Sequence, residues 1–278
     1  MNKKFVKLAL VFIFAALPLF AQKTSFTQEQ IAQGLKKGEF IAYFQPVYSL
    51  YNGKIKEAET LSRWYKDGKI INPGDYIPIV EKGPLMKDFD LYMLSLACET
   101  VKKIKSKGIT PVALGVNFSR STLSLEGITE EINSVVESSG IDRSLIGIEI
   151  TETFDLPSRK NLIKNVRALK EMGFLVYIDD YGSGFNKLSD IYKLRPNILK
   201  LDKSLLPANA LFENAVKTQI CKLTKTAHGL GMKVICEGVE SSEQIRLLKD
   251  CNVDEGQGYF FSKPLPLADF IDKLNNQR

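Results

Sequence analysis

The sequence predicts an α/β protein built around a closed barrel. Short apolar runs rich in β-branched and aromatic residues alternate with longer segments of helical periodicity, which indicates a largely parallel sheet. Eight predicted strands fall within about 240 residues, a length typical of a (β/α) barrel rather than an open sheet. A polar residue ends or closely follows most of these strands, and strand ends in such barrels meet on one face.

The predicted strands are runs rich in β-branched and aromatic residues. They are Phe40–Val47, Ala58–Trp64, Val112–Phe118, Ile146–Thr151, Leu175–Asp179, Ile198–Asp202, Lys233–Cys236 and Gly258–Phe261. The predicted helices lie near 84–106, 127–139, 158–172, 208–230, 241–250 and 267–275. The first of these repeats apolar residues at intervals of three and four, the spacing that places them on one helical face.

Composition excludes several protein classes. With 44% hydrophobic and 25% charged residues, the chain is neither collagen-like nor disordered. Its net charge of +6 is mild and shows no clustered basic face, so we expect no DNA or RNA polymer as a partner. A single histidine argues against a histidine-rich metal site.

The four cysteines are predicted to be buried thiols. Cys98, Cys221, Cys236 and Cys251 are far apart in the sequence and form no CxxC pair. This spacing indicates neither a zinc site nor a disulfide framework.

Residues 1–21 have the layout of a targeting segment. Three lysines precede an apolar run, Leu8–Phe20, and the small residue Ala21 follows it. This is the order of a secretory signal peptide. The run is shorter than the about 20 apolar residues of a membrane span. Because Leu19 occupies a position where cleavage favours a small residue, a short membrane anchor is the alternative.

The rest of the chain is predicted to contain one domain. Residues 22–34 are mostly polar and are expected to connect the N-terminal segment to it. No linker rich in proline, glycine or serine interrupts residues 35–278. A single barrel of this length is ordinary.

The polar residues at the strand ends predict a functional cluster. They are Gln45, Glu59, Asn117, Glu149, Asp179 with Asp180, Lys200, Glu237 and Gln257. Crowded carboxylates raise one another's pKa values unless a cation neutralises them, and oxygen ligands suit Mg²⁺ or Mn²⁺. Two adjacent aspartates can share two ions, an arrangement used for in-line phosphoryl displacement. A lysine among them could orient or deprotonate water, or only balance charge.

Eight short motifs containing these residues follow one another along the chain. They are Phe44–Pro46, Glu59–Trp64, Val116–Ser119, Glu149–Glu152, Asp179–Phe185, Leu199–Asp202, Glu237–Glu240, and Gln257–Tyr259 with Phe261–Pro266. In content and order they resemble the EAL-domain family of cyclic di-GMP-specific phosphodiesterases, over about residues 35–278. The chain departs from the family pattern at two places. Thr60 stands where the family has alanine, and Asn186-Lys187 stands where the family has small serines.

This resemblance implies a fold and an activity. The fold is a modified (β/α)8 barrel of the triosephosphate-isomerase type with one antiparallel strand. The activity is hydrolysis of cyclic di-GMP to linear pGpG with two Mg²⁺ or Mn²⁺ ions. The alternative is a catalytically weak cyclic di-GMP receptor or interaction module, and a homodimer is expected in either case.

The resemblance also implies the roles of individual residues. The implied metal ligands are Glu59, Asn117, Glu149, Asp179, Asp180 and Glu237. The implied catalytic residues are Glu59, Lys200, Glu237, Gln257 and Glu152, with Glu152 holding the Asp179–Leu188 loop. The implied substrate-binding residues are Gln45, Leu61, Arg63, Asp202 and Pro264.

Cellular location is expected to follow the substrate. The family implies that cyclic di-GMP is made and read in the bacterial cytosol. We therefore expect a membrane-associated chain, attached through its N-terminal segment, whose barrel faces the cytosol. The N-terminal residues alone would also fit export to the periplasm.

Overall fold

Eight of the ten strands in the described part of the chain close into a barrel. The computed structural model describes residues 26–150, 158–182, 188–206 and 213–277. The strands are β1 (Phe40–Ser49), β2 (Ile55–Lys66), β3 (Lys69–Ile71), β4 (Ala113–Phe118), β5 (Ile146–Ile150), β6 (Leu175–Tyr181), β7 (Ile198–Leu201), β8 (Lys233–Cys236), β9 (Glu255–Gly256) and β10 (Leu265–Pro266). Strands β2 and β4 to β9 pair in parallel, whereas β1 runs antiparallel to β2 and β9 and closes the barrel. The expected barrel with one antiparallel strand is confirmed.

Helices surround the barrel and cover its outer face. They are α1 (Gln28–Lys36), α2 (Ile77–Glu81), α3 (Met86–Ser106), α4 (Arg120–Leu123), α5 (Ile128–Ser138), α6 (Arg159–Glu171), α7 (Leu188–Leu194), α8 (Glu213–Gly229), α9 (Ser242–Asp250) and α10 (Leu267–Asn275). In α3, Leu94, Val101 and Ile104 are fully buried, as the predicted helical face requires. None of the helices in the described ranges is long and apolar enough to cross a membrane.

A second, smaller apolar cluster lies inside the barrel. It consists of Val47, Tyr177, Ile198 and Ile235, all buried and separate from the main core. Because side chains alternate between the two faces of a strand, these residues share a face with the polar residues two positions away. The cluster therefore forms the floor beneath the polar strand ends.

The eighth barrel strand is shorter and earlier than predicted. It is Glu255–Gly256, whereas Gly258–Phe261 forms a turn in which the amides of Phe261 and Ser262 donate to the Gly258 carbonyl at 3.1 Å. The backbones of Gly258 and Val239 touch here, since a Cβ on Gly258 would lie 2.2 Å from the Val239 nitrogen and oxygen. This contact bends the chain away from the barrel wall, so the aromatic run beyond it is no strand.

The predicted connector contains the beginning of the first helix. The predicted connector, residues 22–34, is helical from Gln28 onward, because Thr27 and Gln30 form a capping box that begins α1. Ile31 is fully buried, and the ring of Phe26 packs 4.7 Å from that of Trp64. Residues from Phe26 onward are therefore folded and pack on the domain, while the predicted targeting segment, residues 1–21, lies outside the described residues.

The prediction of four thiols is wrong for two cysteines. Cys221 on α8 and Cys251, next to the end of α9, form a disulfide with their Cα atoms 4.4 Å apart. Thirty positions separate them in the sequence, and only the packing of α8 against α9 brings them together. Cys98 and Cys236 are free and buried, as predicted.

Candidate active site

The polar strand ends converge at the carboxyl end of the barrel, in a cavity of about 410 Å³. Seven of the predicted site residues line it: Gln45, Glu59, Asp179, Asp180, Asp202, Glu237 and Gln257. Glu149 and Lys200 lie deeper and are only 2% and 1% exposed. Seven barrel strands or their ends thus bring carboxylates, amides and one ammonium group to a single site.

Lys200 lies at the centre of four carboxylates. Its Nζ is 2.7 Å from oxygens of Glu149 and Glu237, 3.0 Å from Asp179 and 3.6 Å from Glu59. Burial alone would lower the pKa of Lys200, but the four carboxylates outweigh it and raise that pKa well above its ordinary value. Among these carboxylates the ammonium form of Lys200 is favoured, and its Nζ donates to Glu149 Oε2 at 2.7 Å.

Two amides fix the carboxylate of Glu59. Asn117 Nδ2 donates to Glu59 Oε1 at 3.0 Å, and Gln257 Nε2 donates to Glu59 Oε2 at 2.8 Å. Burial works to raise the pKa of Glu59, but the charge of Lys200 and these hydrogen bonds lower it below its ordinary value. Glu59 is consequently an oriented, ionised carboxylate.

The remaining carboxylates carry more negative charge than one lysine can balance. Burial raises the pKa of Glu237 to about 8 and that of Asp180 to about 6, with neighbouring carboxylates adding to both shifts. Burial likewise raises the pKa values of Glu149 and Asp179. Such groups favour either protonation or a further cation.

The oxygens form two groups that could each hold a metal ion. In one, oxygens of Glu59, Glu149 and Asp179 all lie within 4.8 Å of one another, and in the other the same holds for Asp179, Asp180 and Glu237. Asp179 belongs to both groups. An all-oxygen donor set with a shared carboxylate fits two hard divalent cations, and all five residues are among the metal ligands that the sequence resemblance implies.

A glycine makes room for one of these carboxylates. Gly115 on β4 neighbours β5, and a Cβ on Gly115 would lie 1.7 Å from Glu149 Oε1. The backbone of Gly115 does not require glycine, since its φ is not positive. Glycine at this position therefore leaves the space that the Glu149 carboxylate occupies.

Gly115→Ala is expected to reduce metal affinity and any metal-dependent turnover by at least about tenfold. This is the lower end of the loss that is typical when residues that orient metal ligands are changed. The added methyl group must push the Glu149 carboxylate away from Lys200 and Asp179. Titration calorimetry with Mn²⁺ measures this effect. Gly229→Ala is the matched control, since a Cβ there meets nothing within 4 Å. Equal Mn²⁺ affinity in Gly115→Ala and the wild type would contradict this role.

The predicted substrate-binding residues are not all brought to the cavity. Gln45 and Asp202 line it, whereas Leu61 lines a neighbouring cavity of about 190 Å³ together with Asn117. The Arg63 guanidinium lies 5.2 Å from the centre of the Tyr43 ring and donates to the carbonyl of Ser62. Pro264 is half-buried and lines neither cavity. Glu152, Asn186 and Lys187 lie outside the described residues.

Sequence reasoning missed five residues that line the main cavity. They are Lys203, Gly238, Glu240, Gly258 and Tyr259. All lie one to three positions beyond a predicted site residue. Four of them already lie within the motifs that resemble the family, and Lys203 directly follows the motif Leu199–Asp202. Taking each strand-end residue together with the three residues after it would have found all five. Tyr259 is 61% exposed at the cavity wall.

Comparisons with known proteins place the chain in a family. Cyclic di-GMP phosphodiesterase NbdA of Pseudomonas aeruginosa is 27% identical over 255 residues, which cover 90% of this chain and 32% of that protein. Cyclic di-GMP phosphodiesterase RocR of the same organism is 30% identical over 251 residues, covering 87% and 62%. The chain thus spans only part of the length of these relatives.

Solved structures show the same fold. An EAL domain protein from Listeria monocytogenes EGD-e aligns with a TM-score of 0.77 and 25% identity, covering 90% of this chain and 98% of that one. The EAL domain of Xanthomonas citri FimX in complex with c-diGMP aligns with a TM-score of 0.76 and 20% identity, covering 86% and 92%. The EAL domain family model matches residues 28–264. Because this match covers most of the chain, the protein belongs to the EAL domain family.

Proposed function

We propose that this chain hydrolyses cyclic di-GMP to linear pGpG with two divalent cations, Mg²⁺ or Mn²⁺. The observation that carries the proposal is the pair of oxygen groups that share Asp179 around Lys200. Relatives matched over 87–92% of this chain are named cyclic di-GMP phosphodiesterases, two of them as probable ones, and they have further sequence outside that match. The substrate assignment therefore rests on both the site and the family.

The residues of the chain divide the work of the reaction. Glu59, Asn117 and Glu149 would hold one ion, Glu237 and Asp180 the other, and Asp179 both. When bound, two such ions offset phosphate charge and lower the pKa of a water molecule. Lys200 donates hydrogen bonds to the ligand carboxylates and keeps them in place.

Substrate contacts would come from the rim of the cavity. Gln45 and Asp202 line it and offer hydrogen-bonding groups for the nucleotide. Lys203 lines the same cavity and is exposed, so its ammonium can meet a phosphate. Arg63 lies outside the cavity lining, and phosphate binding by its guanidinium requires the side chain to leave Tyr43.

The test is product analysis with the purified chain. It is incubated with cyclic di-GMP and either Mn²⁺, Mg²⁺ or a chelator, and the products are separated by chromatography. Appearance of pGpG only with metal supports the proposal. Tight binding without turnover would overturn it in favour of a cyclic di-GMP receptor. Absence of both binding and turnover would overturn the substrate assignment as well.

We also propose that the chain is membrane-associated through residues 1–21, with the barrel facing the cytosol, and forms a homodimer. The substrate class supports the cytosolic side, and the family resemblance supports the dimer. The disulfide between Cys221 and Cys251 argues for the alternative, export, because disulfides persist in oxidising compartments and are rare in the cytosol.

The redox state of this cysteine pair in cells tests the location. Cells are quenched with acid, and free thiols are alkylated with a maleimide of high mass. Four accessible thiols after denaturation would support the cytosolic side, whereas two would place the barrel in an oxidising compartment.

Light scattering of the purified chain measures the oligomeric state, and a monomeric mass would overturn the dimer.

A further inference from the structure

Tyr177 is the largest side chain in the floor cluster inside the barrel. It is 1% exposed and lies on β6, two positions before Asp179. Residues two apart on a strand point to the same face, so Tyr177 and Asp179 both point into the barrel. Tyr177 is also the Cα partner of Glu149 on β5. It thus adjoins two of the proposed metal ligands without lining the cavity itself.

A glycine makes room for the Tyr177 ring, as Gly115 does for Glu149. A Cβ on Gly147 would lie 2.2 Å from Tyr177 Cε2 and 2.9 Å from Cζ. Gly115 and Gly147 are Cα partners on β4 and β5. Each side chain therefore lies over the glycine of the preceding strand, and the two form successive steps around the barrel interior.

The far end of the Tyr177 ring is anchored by a buried carboxylate. Its hydroxyl donates to Glu57 Oε2 at 2.5 Å, and Glu57 is 5% exposed. Lys233 lies near the other side of this floor, with its Nζ 4.0 Å from Glu57 Oε1 and 3.4 Å from Glu255 Oε1. The ring is thus fixed by packing at Gly147 and by a hydrogen bond at its tip.

We propose that Tyr177 is a positioning residue for the metal site. Its ring closes the barrel interior beneath Glu149 and Lys200 and keeps the Glu149 carboxylate within reach of a bound cation. The inference rests on the proposed metal-dependent function and deepens it. Tyr177 acts through Glu149 and contacts neither substrate nor metal. Without the ring, water can enter below Glu149 and its carboxylate can turn away from Asp179 and Glu59.

The first test measures Mn²⁺ binding to the full chain by titration calorimetry. Tyr177→Ala is expected to weaken Mn²⁺ binding by about 10- to 100-fold, the loss typical when residues that orient metal ligands are removed. Tyr177→Phe keeps the ring and should recover most of that affinity. Tyr51→Ala removes a tyrosine that is 63% exposed and serves as the matched control. Wild-type Mn²⁺ affinity in folded Tyr177→Ala would overturn the proposal.

The second test is a double-mutant cycle with Gly147→Ala. In the wild type, the new methyl group must displace the ring and weaken Mn²⁺ binding without removing any polar atom. In the Tyr177→Ala background the ring is absent, so Gly147→Ala should cost much less. Additive losses would show that the two positions act independently and would overturn the proposal. This cycle remains decisive if Tyr177→Ala is too unstable alone, because Tyr177→Leu can take its place.

Metal binding separates this inference from the proposed function. If the wild type binds Mn²⁺ but does not hydrolyse cyclic di-GMP, the substrate assignment fails while the cycle still measures the role of Tyr177. If the wild type hydrolyses cyclic di-GMP and all floor variants bind Mn²⁺ equally, the positioning role alone fails. Absence of Mn²⁺ binding in the wild type would overturn both.

Discussion

Asp179→Asn is expected to reduce turnover of cyclic di-GMP by at least about a hundredfold. Losing a residue that only orients a metal ligand costs up to about a hundredfold, and Asp179 is itself a proposed ligand. Asp179 is the only residue common to both oxygen groups in the described part of the chain. Asparagine keeps the shape but removes the charge that two cations would share. Its amide oxygen can take the place of Asp179 Oδ1, which lies 3.0 Å from Lys200 Nζ, so this contact with the ammonium is kept. Steady-state turnover with Mn²⁺ measures the loss.

The same variant should not lose stability when metal is absent. Burial raises the pKa of Asp179 even beside Lys200, so the fold disfavours its ionised carboxylate unless a further cation is bound. Urea unfolding in a chelator is therefore expected to give Asp179→Asn a free energy of unfolding at least equal to that of the wild type. Asp180→Asn is the control, because Asp180 belongs to one oxygen group only and asparagine tolerates its positive φ of 52°. Equal turnover losses in the two variants would contradict a shared ligand.

The barrel and most of the polar cluster could be predicted from strand patterns alone. Glu149, Asp179 and Lys200 end or nearly end apolar runs of β-rich sequence, and Glu59 lies within another such run. The carboxyl ends of parallel strands meet at one face. This geometry requires no knowledge of long-range contacts. It therefore brings side chains together whose positions differ by up to about 200 residues, as the contact of Gln257 with Glu59 shows.

Features set by close backbone contacts could not be predicted in this way. The eighth strand ends where Gly258 touches Val239, and the sequence shows only a run of aromatic residues there. The pairing of Cys221 with Cys251 depends on how α8 packs against α9. Neither contact leaves a periodic signal in the sequence.

The floor of the barrel could also have been predicted from the alternation of side chains along each strand. Glu57 and Glu59 are two positions apart on one strand, and both point inward. The same alternation places Tyr177 below Asp179 and Ile198 below Lys200. Continuing the period of two from each strand-end residue toward the start of its strand would have predicted a second buried layer.

Lys200→Met is expected to destabilise the metal-free protein by about 3–5 kcal/mol, the cost of removing one partner from a buried ionic group. Methionine fills a similar volume but leaves the carboxylates of Glu59, Glu149, Asp179 and Glu237 without their cation. Millimolar Mn²⁺ should restore much of this loss, because an ion that binds only the folded state stabilises it.

Thermal unfolding of Lys200→Met in chelator and in Mn²⁺ measures both effects. Turnover should be lost even where Mn²⁺ restores stability, because no ammonium group holds the ligand carboxylates in this variant. Lys203→Met is the control, since Lys203 lines the same cavity but is exposed, and surface substitutions usually change stability by less than about 0.5 kcal/mol. If Lys200→Met unfolds in chelator at the temperature of the wild type, the four carboxylates do not depend on the ammonium. Their negative charge would then be neutralised by protons when no other cation is bound.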